Sequence, residues 1–355
     1  MRMLRPALTA LAVAIMAAPA LAQVPKASDG KPDLTGVWTH ASVTPLQRAP
    51  ENKTLVVSEA EAKRIAAGFT VGGIKEEGYK TTYSDPTKGA PPKGGDDFGV
   101  QAYDSFWWDP GTKLAFVKGE WRTSNIVDPP NGQMPLKDPE ADAKKRKMRR
   151  DVYETGKADY DGPEVPTLGE RCVMFGSKAG PGMQSGGYNN NYQFTQTPTH
   201  MVIQVEMGPD TRIIPIYATA VEARTHHRPA ALKPWAGDSV GWWEGDTFVM
   251  ESINVKPLQA ENHGFPLSQT GVVTERFTRT GDKDIFYEFI VNDPELYTQP
   301  WKAELSFYPS KAIYEYACHE GNYGMIGILA GAREKDRRAA AKSANAKTKT
   351  VKGGQ

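Results

Sequence analysis

The sequence predicts an all-β protein, mainly antiparallel, with a barrel-like or lipocalin-like meander, a few short helices and long loops. Polar and apolar residues alternate along many short segments: Met201, Ile203 and Val205, for example, interleave with Val202 and Gln204. The 355 residues include 34 Gly and 27 Pro, which suits frequent turns better than long helices. At least nine such segments follow residue 190 at short spacing. We therefore expect a closed or nearly closed barrel, or a sandwich, whose interior hosts a small ligand.

Residues 1–22 have the pattern of a secretory signal peptide. Arg2 and Arg5 precede an apolar run over 11–18, and Ala20-Leu21-Ala22 matches a cleavage site. The apolar run is shorter than the roughly 20 residues that a membrane-spanning helix needs. We expect a periplasmic or secreted protein without membrane insertion.

Residues 23–170 are expected to form an N-terminal β and loop region of the same domain as the rest. A first strand begins near 33–38, and Ser58 and Glu61 form the capping box of a helix that continues to Ala67. The Gly- and Pro-rich segment 68–98 predicts a long loop, either a functional lid or disordered. Further strands are predicted at 103–108, 114–117 and 121–127. The basic run 138–153 is read as the solvated face of a helix.

Residues 171–332 are expected to form a C-terminal antiparallel meander that carries the candidate pocket. A Gly- and Pro-rich loop over 162–187 leads into it. Strands are predicted at 192–197, 200–207, 211–217, 240–244, 247–253, 271–279, 285–291, 302–308 and 312–318. The remaining residues, 333–355, are rich in Lys and Ala without an apolar face, and we expect a disordered basic tail, with a short helix at its start as an alternative.

The charge balance and the sequence motifs argue against several classes of function. The chain has 43 basic and 42 acidic residues, so its net charge of +1 gives no reason to expect nucleic acid as a partner. No dinucleotide or P-loop motif is present, and no cofactor is expected. The string Gly237 to Gly241 matches the serine nucleophile elbow, but Pro234-Trp235 precedes it and a hairpin follows, which predicts a plain turn. A small molecule is the expected partner.

Histidines are the best candidates for proton transfer because they titrate near neutral pH. Of the six in the chain, His226, His227 and His319 stand out, and His226 and His227 are adjacent, so that only one of them should face a pocket. No metal is predicted, since no close histidine or cysteine pair has a ligand spacing, although a site built from His227, His319 and a glutamate stays open. We take His319, His227 and Glu206 as the candidate catalytic groups.

Candidate ligand contacts lie in the segments between 171 and 243. Arg212 faces Glu206 across the turn at 208–210, either as an ordinary ion pair or as a clamp that holds a substrate carboxylate or oxyanion. Asn190 and Tyr192 form a turn or hold a hydroxylated substrate. The last two candidates are Trp243, which stacks on a ring or fills the barrel, and Arg171.

The segment 314–323 places a cysteine and a histidine side by side. In the strand predicted at 312–318, Cys318 would face one side, and His319 would face the other. Cys172 and Cys318 are the two cysteines of an exported chain, which favours a disulfide, with free buried thiols as the alternative. One face of the strand would then hold the disulfide that stabilises the fold, and the other face would hold a catalytic histidine.

Several segments resemble a family of secreted bacterial proteins found in proteobacteria and acidobacteria. The matching segments cover most of the chain after the signal: Asp33-Leu34-Thr35-Gly36-Val37-Trp38, Thr123 to Pro130, Glu170-Arg171-Cys172, Tyr188 to Gln193 with Gln196-Thr197-Pro198, Trp243-Glu244-Gly245-Asp246-Thr247, Glu275-Arg276-Phe277-Thr278-Arg279, and Tyr314 to Gly324. The resemblance implies that both cysteine segments are part of the shared pattern, and that His227 matches the family histidine eight residues before Trp235.

Similar proteins occur in bacteria that degrade plant-derived aromatics, which implies a cofactor-independent lyase or decarboxylase. In that hypothesis Arg212 holds a carboxylate or oxyanion and a histidine moves the proton. A periplasmic protein that only binds its small ligand is the alternative, and a metal hydrolase is the third.

Overall fold

The computed structural model describes residues 24–68, 70–71, 74–75, 110–145, 147, 162, 164–176, 178–208 and 211–352. The predicted signal peptide, the strand predicted at 103–108 and most of the loop predicted at 68–98 lie outside the described residues. Within the described part of the chain, no helix is both long and apolar enough to cross a membrane.

The described residues contain fifteen strands, five helices and a further helical segment. The strands are β1 Gly36–Thr39, β2 Val56–Val57, β3 Thr70–Val71, β4 Ile74–Lys75, β5 Phe116–Val117, β6 Glu120–Arg122, β7 Ile126–Asp128, β8 Asn191–Gln196, β9 His200–Val205, β10 Thr211–Tyr217, β11 Asp238–Glu244, β12 Thr247–Ile253, β13 Val272–Arg279, β14 Ile285–Asn292 and β15 Trp301–Pro309. The helices are α1 Glu59–Ala67, α2 Ala220–Thr225, α3 Pro257–Asn262, α4 Cys318–Gly321 and α5 Tyr323–Lys352, and residues 139–145 are also helical.

Nine strands close into a barrel, which confirms the predicted fold class. β1 pairs with β8, the strands β8 to β15 follow one another around the wall, and β15 returns to pair with β1. One neighbouring pair departs from the predicted antiparallel meander, because β10 and β11 are parallel. The connection that contains α2 carries the chain back along the outside of the barrel before β11 begins, so both strands run in the same direction.

Two elements after β15 differ from the prediction. Residues 312–317 form no strand, and α4 begins at Cys318. Because β15 already pairs with β1, the barrel has no open edge for a further strand. Residues 333–352 belong to α5 and are not a disordered tail in the structure. Ala, Lys and Arg favour helix, and Glu334 pairs with Arg338 one turn later.

Side chains fill the barrel interior. The inward residues of the wall are largely aromatic and almost fully buried, and they contact one another, several of them edge to face: Tyr192, Phe194, Phe248, Phe277, Tyr287, Phe289 and Phe307. A barrel of about this strand number has an interior just wide enough for packed side chains. The expected ligand space inside the barrel is therefore occupied by the protein itself.

One end of the barrel is closed by a buried loop. We call this end, where β8, β10 and β11 begin, the mouth, and residues 178–183 the plug. All six plug residues are buried, and the backbone N–H of Met183 donates to the Tyr287 hydroxyl at 2.8 Å. Gly182 has φ +70°, and a Cβ there would lie 2.9 Å from Phe265. Glycine is required because the backbone packs directly on an aromatic ring.

Candidate functional site at the barrel mouth

A buried ion pair lies beneath the plug. Nη2 of Arg212 donates to Glu275 at 2.6 Å, to Ser252 at 2.8 Å and to Ser239 at 3.1 Å. The Tyr287 hydroxyl donates to the other oxygen of Glu275 at 2.7 Å. Burial and the Glu275 charge raise the pKa of Tyr287, so the phenol stays protonated. Nε and Nη1 of Arg212 have no hydrogen-bond partner among the described residues.

The predicted pairing of Arg212 with Glu206 is wrong. Arg212 extends into the barrel and reaches Glu275 on β13, whereas Glu206 follows the end of β9. The carboxylate of Glu206 accepts from the Asn191 amide at 2.7 Å and from the backbone N–H of Tyr314 at 3.1 Å. Glu206 therefore fastens the segment after β15 to the barrel.

Tyr192 is bonded inside the barrel to a histidine that the sequence reasoning did not select. The Ser185 hydroxyl donates to the His40 carbonyl at 2.6 Å, so it accepts from Nδ1–H of His40 at 2.8 Å. Nε2 of His40 is left as the acceptor for the Tyr192 hydroxyl at 2.9 Å. Burial, reinforced by the nearby Lys178 charge, lowers the pKa of His40 from 6.5 to about 3. His40 is therefore neutral.

Asn190 closes the loop that follows the plug. Its amide oxygen accepts from the backbone N–H of Gly186 at 2.8 Å, and its amide nitrogen donates to the Gly186 carbonyl at 3.0 Å. Asn189 adopts a left-handed φ of +52°, which asparagine tolerates. These contacts favour the turn interpretation of this segment over substrate binding.

His227 lies on the outer face of the barrel. Its Nδ1 is 2.9 Å from Asp238, and its Nε2 is 3.8 Å from Glu251. Burial alone would lower the pKa of His227, but the hydrogen bond to Asp238 and the negative charges of Asp238 and Glu251 outweigh it and raise the pKa to about 9. The imidazole is thus a cation in an ion-pair cluster at neutral pH. Its neighbour His226 is exposed and stacks on Tyr217.

The other candidates are dispersed. His319 is exposed in α4, Trp243 packs near Phe248 towards the opposite end of the barrel, and Arg171 donates to the carbonyl of Glu164 at 3.4 Å. The structure brings Asn190, Tyr192, Glu206 and Arg212 to the mouth. His227 lies beside Asp238 on the outer face and His319 is exposed, so neither predicted catalytic histidine faces the barrel interior.

The predicted disulfide is confirmed. Cys172 and Cys318 are bonded, with Cα atoms 5.7 Å apart and a separation of 146 positions in sequence. The bond joins the loop just before the plug to the segment after β15. A disulfide fits a protein of an oxidising, extracytoplasmic compartment.

A cavity of about 570 Å³, which we call the mouth cavity, lies beside the plug. Its walls come from the helical segment at 139–145, from α3 and the loop after it, and from the turn after β14. The lining residues are Leu136, Lys137, Asp138, Ala141, Asp142, Lys145, Pro257, Ala260, His263, Pro266, Leu267, Ser268, Gln269, Glu295 and Leu296.

His263 connects this cavity to the plug. The side chain is 8% exposed, and Nε2 lies 2.7 Å from the carbonyl of Pro181. A carbonyl can only accept, so Nε2 carries the proton and Nδ1 is an acceptor. Among the buried polar side-chain atoms of the described lining residues, Nδ1 is the one without a partner. Burial, together with the Arg212 charge, lowers the pKa of His263 to about 4 in spite of the bond to Pro181.

Gln259 repeats this arrangement one turn earlier on α3. Its amide nitrogen donates to the carbonyl of Gly176 at 2.6 Å, and its amide oxygen is buried without a partner. His263 follows four residues later, directly after the last residue of α3. Each of the two side chains donates a hydrogen bond to a backbone carbonyl and keeps an acceptor atom without a partner.

Sequence reasoning missed His263 because no ligand-spacing motif surrounds it. The alternation of His263, Phe265 and Leu267 was the available signal, since all three are buried while Gly264 between them is exposed. A histidine in phase with buried apolar residues is an indication of a buried histidine.

A second cavity, of about 370 Å³, is lined by Lys178, Tyr188 and Met207 together with residues 167–169 and 174–176. The Lys178 ammonium donates to the carbonyl of Tyr188 at 2.7 Å. None of its described lining residues has a buried side-chain atom without a partner. The mouth cavity is the larger of these two cavities, which makes it the better candidate site.

Within the described residues, no group of three or more His, Cys, Asp or Glu side chains is placed to hold a metal ion. No protein-family model matches the chain, and neither the curated proteins nor the solved structures gave a significant match. The family resemblance of the sequence segments therefore stays a prediction.

Proposed function

We propose that the protein binds a small amphipathic organic molecule in the mouth cavity, as a periplasmic or secreted binding protein. The observation that carries the proposal is the mouth cavity itself, which is lined by apolar side chains such as Leu136 and Leu267 together with charged ones such as Lys145 and Glu295. A volume of about 570 Å³ lies in the usual range of roughly 300 to 1,000 Å³ for small-molecule sites. Such sites combine mostly apolar walls with a few placed polar groups.

The lining of the mouth cavity favours an amphipathic ligand. Lys145 and Glu295 offer partners for a polar group of such a molecule. Leu136, Pro257, Leu267 and Leu296 provide apolar contact for the rest of the molecule.

The lyase hypothesis has less support, because its catalytic residues do not form one site. His263 is the histidine that could replace them in the mouth cavity. With a pKa of about 4, however, it is a weak base at neutral pH, and general-base catalysis is most efficient when the pKa lies near the working pH. Binding without turnover is therefore the better supported function.

The experiment is a fragment screen by thermal shift and by NMR on the full chain and on two variants. Ala141 is an exposed residue that lines the mouth cavity, and Ala143 is exposed on the same helical segment but does not line it. Fragments that bind the native protein should lose binding to Ala141→Trp and keep it with Ala143→Trp. If no fragment binds, or if Ala141→Trp binds as well as the native chain, the proposal is wrong.

Product analysis of each bound fragment separates the two functions. Fragments recovered unchanged after long incubation agree with a binding protein. Conversion that stops in the Ala141→Trp variant would instead support an enzyme that works in this cavity.

A further inference from the structure

We infer that α5 binds the surface of a membrane that contains anionic lipids. Its apolar first turns enter the interface, and its basic later turns contact the lipid headgroups. The helix lies on the membrane and does not span it. This partner is additional to the small ligand of the mouth cavity and does not depend on that ligand.

The first part of α5 is apolar and exposed. The ten residues from Tyr323 to Ala332 contain no charged side chain. Tyr323 is 78% exposed, and Ile326 is 72% exposed. No strand or other helix among the described residues packs extensively against α5. These turns therefore lack the packed apolar face that stabilises most helices in proteins, and exposed apolar groups that lie together indicate a binding surface.

The second part of α5, residues 333–352, is strongly basic. It contains eight Lys and Arg residues and two acidic residues, Glu334 and Asp336, whereas the whole chain has a net charge of +1. The positive charge of the protein is thus concentrated in one helix. Anionic headgroups attract basic segments of this kind, and each Lys or Arg near the surface contributes about fivefold in affinity.

An anionic membrane surface suits both parts of the helix at once. Apolar side chains enter the boundary between headgroups and acyl chains while basic side chains stay at the headgroups, and stable binding needs two such signals because one alone is marginal. A second copy of the chain fits less well. A parallel pair of α5 helices would bring two basic segments together, and an antiparallel pair would place each apolar end against a basic one. Nucleic acid would match the basic part alone.

Two contacts fix the start of α5 to the barrel. Cys318 in α4 is bonded to Cys172, and the amide nitrogen of Asn322 donates to the carbonyl of Glu170 at 2.7 Å. Both contacts hold the residues just before α5 at the loop that precedes the plug. Binding of α5 to a membrane would therefore keep this side of the barrel at the membrane surface.

The test measures co-sedimentation of the full chain, after removal of the predicted signal peptide, with lipid vesicles. One set of vesicles contains phosphatidylcholine alone, and the other contains phosphatidylcholine mixed with phosphatidylglycerol. We expect binding to the mixed vesicles and at least about tenfold weaker binding to the neutral ones. Binding to the mixed vesicles should weaken when the salt concentration rises from about 0.1 M to about 1 M, because the screening length falls from about 10 Å to about 3 Å.

The apolar contact is tested with Ile326→Ser. This variant should bind the mixed vesicles about tenfold more weakly, since serine removes most of the apolar surface that would enter the interface. The control is Val221→Ser on α2, where the native side chain is 75% exposed. It should bind as the native chain does.

The basic contact is tested by changing Lys342, Lys347 and Lys349 together to Gln. Loss of three charges should weaken binding to the mixed vesicles by about 100-fold. The matched control changes three exposed lysines outside α5 to Gln: Lys53, Lys283 and Lys311. Far-UV circular dichroism and tryptophan fluorescence check that each variant is folded.

Several results would overturn the inference and leave the proposed function standing. These are equal binding of the native chain to neutral and mixed vesicles, and unchanged binding of Ile326→Ser or of the triple lysine variant. Self-association of the native chain that Ile326→Ser abolishes, without binding to vesicles, would show that a second copy covers α5. Tighter binding to duplex DNA than to the mixed vesicles would show that the basic part serves nucleic acid. The comparison of lipids and salt on the native chain decides even if a variant does not fold.

Discussion

Acidification from pH 7 to pH 5 should destabilise the protein through two buried neutral histidines. His40 and His263 have pKa values of about 3 and about 4 in the folded protein, both below the ordinary value of 6.5. Their neutral forms are bonded to Tyr192, Ser185 and the Pro181 carbonyl. As the pH falls through 6.5, the unfolded chain takes up protons that the folded protein does not, so the free energy of unfolding decreases.

The magnitude depends little on the folded pKa values. An unfolded histidine is about one quarter protonated at pH 7 and almost fully protonated at pH 5. With the folded state neutral throughout, each histidine then lowers the free energy of unfolding by about 2 kcal/mol over this interval. His227 acts in the opposite direction, because its pKa of about 9 lies above the ordinary value and its stabilising contribution is lost as the pH rises from 6.5 to 9.

The assay is urea unfolding followed by tryptophan fluorescence at pH 5, 6 and 7, with the disulfide intact. The eight tryptophans give a strong signal, and Asp and Glu side chains stay mostly ionised above pH 5. The His40→Gln variant should lose about 2 kcal/mol less stability between pH 7 and pH 5 than the native chain. Exposed His200, changed to Gln, is the control.

Equal pH dependence in the native chain and in His40→Gln would refute the reasoning. It would mean that His40 takes up a proton in the folded state as readily as in the unfolded state. The comparison uses differences between pH values within each protein, so a general loss of stability in the variant does not affect it.

Two further predictions follow from the contacts. Glu275→Gln should destabilise the protein by about 3 to 5 kcal/mol in urea unfolding, because the buried charge of Arg212 then has no carboxylate partner. The double variant Arg212→Met, Glu275→Leu removes both charges and should be destabilised less. An equal loss of stability in the two variants would contradict this explanation. Replacing Cys172 and Cys318 by serine should lower the free energy of unfolding by about 5 kcal/mol, the value that the chain-entropy model gives for a loop of 146 residues. If reduction of the disulfide leaves the stability of the native chain unchanged, this prediction is wrong.

Local patterns predicted most of the barrel wall. Alternation between 192 and 308 located the eight strands β8 to β15, because most inward residues are apolar or aromatic and each turn carries Gly, Pro or Asp. The pairing of Cys172 with Cys318 was predicted from their number and the exported character of the chain. The strand predicted at 312–318 had the same alternation, and it failed because the barrel was already closed by β1.

The candidate site could be predicted only in part. Arg212 was recognised as important, but its partner was taken from the nearest carboxylate in sequence, Glu206, and the real partner Glu275 lies 63 residues away. His227 has two carboxylate neighbours, as the acid-base hypothesis expected. They raise its pKa and keep the imidazole a cation on the outer face of the barrel. His263 was missed because its environment comes from the plug and from two distant loops.

The sequence by itself determined the β class, the strand order of the C-terminal half and the disulfide, since these depend on residue type and on periodicity along the chain. Only the tertiary structure decided that the barrel closes through β1 and β15, that the plug fills its mouth, and that the open space lies beside His263. Such features depend on which distant segments meet, because register and closure bring together residues whose spacing along the chain carries no signal.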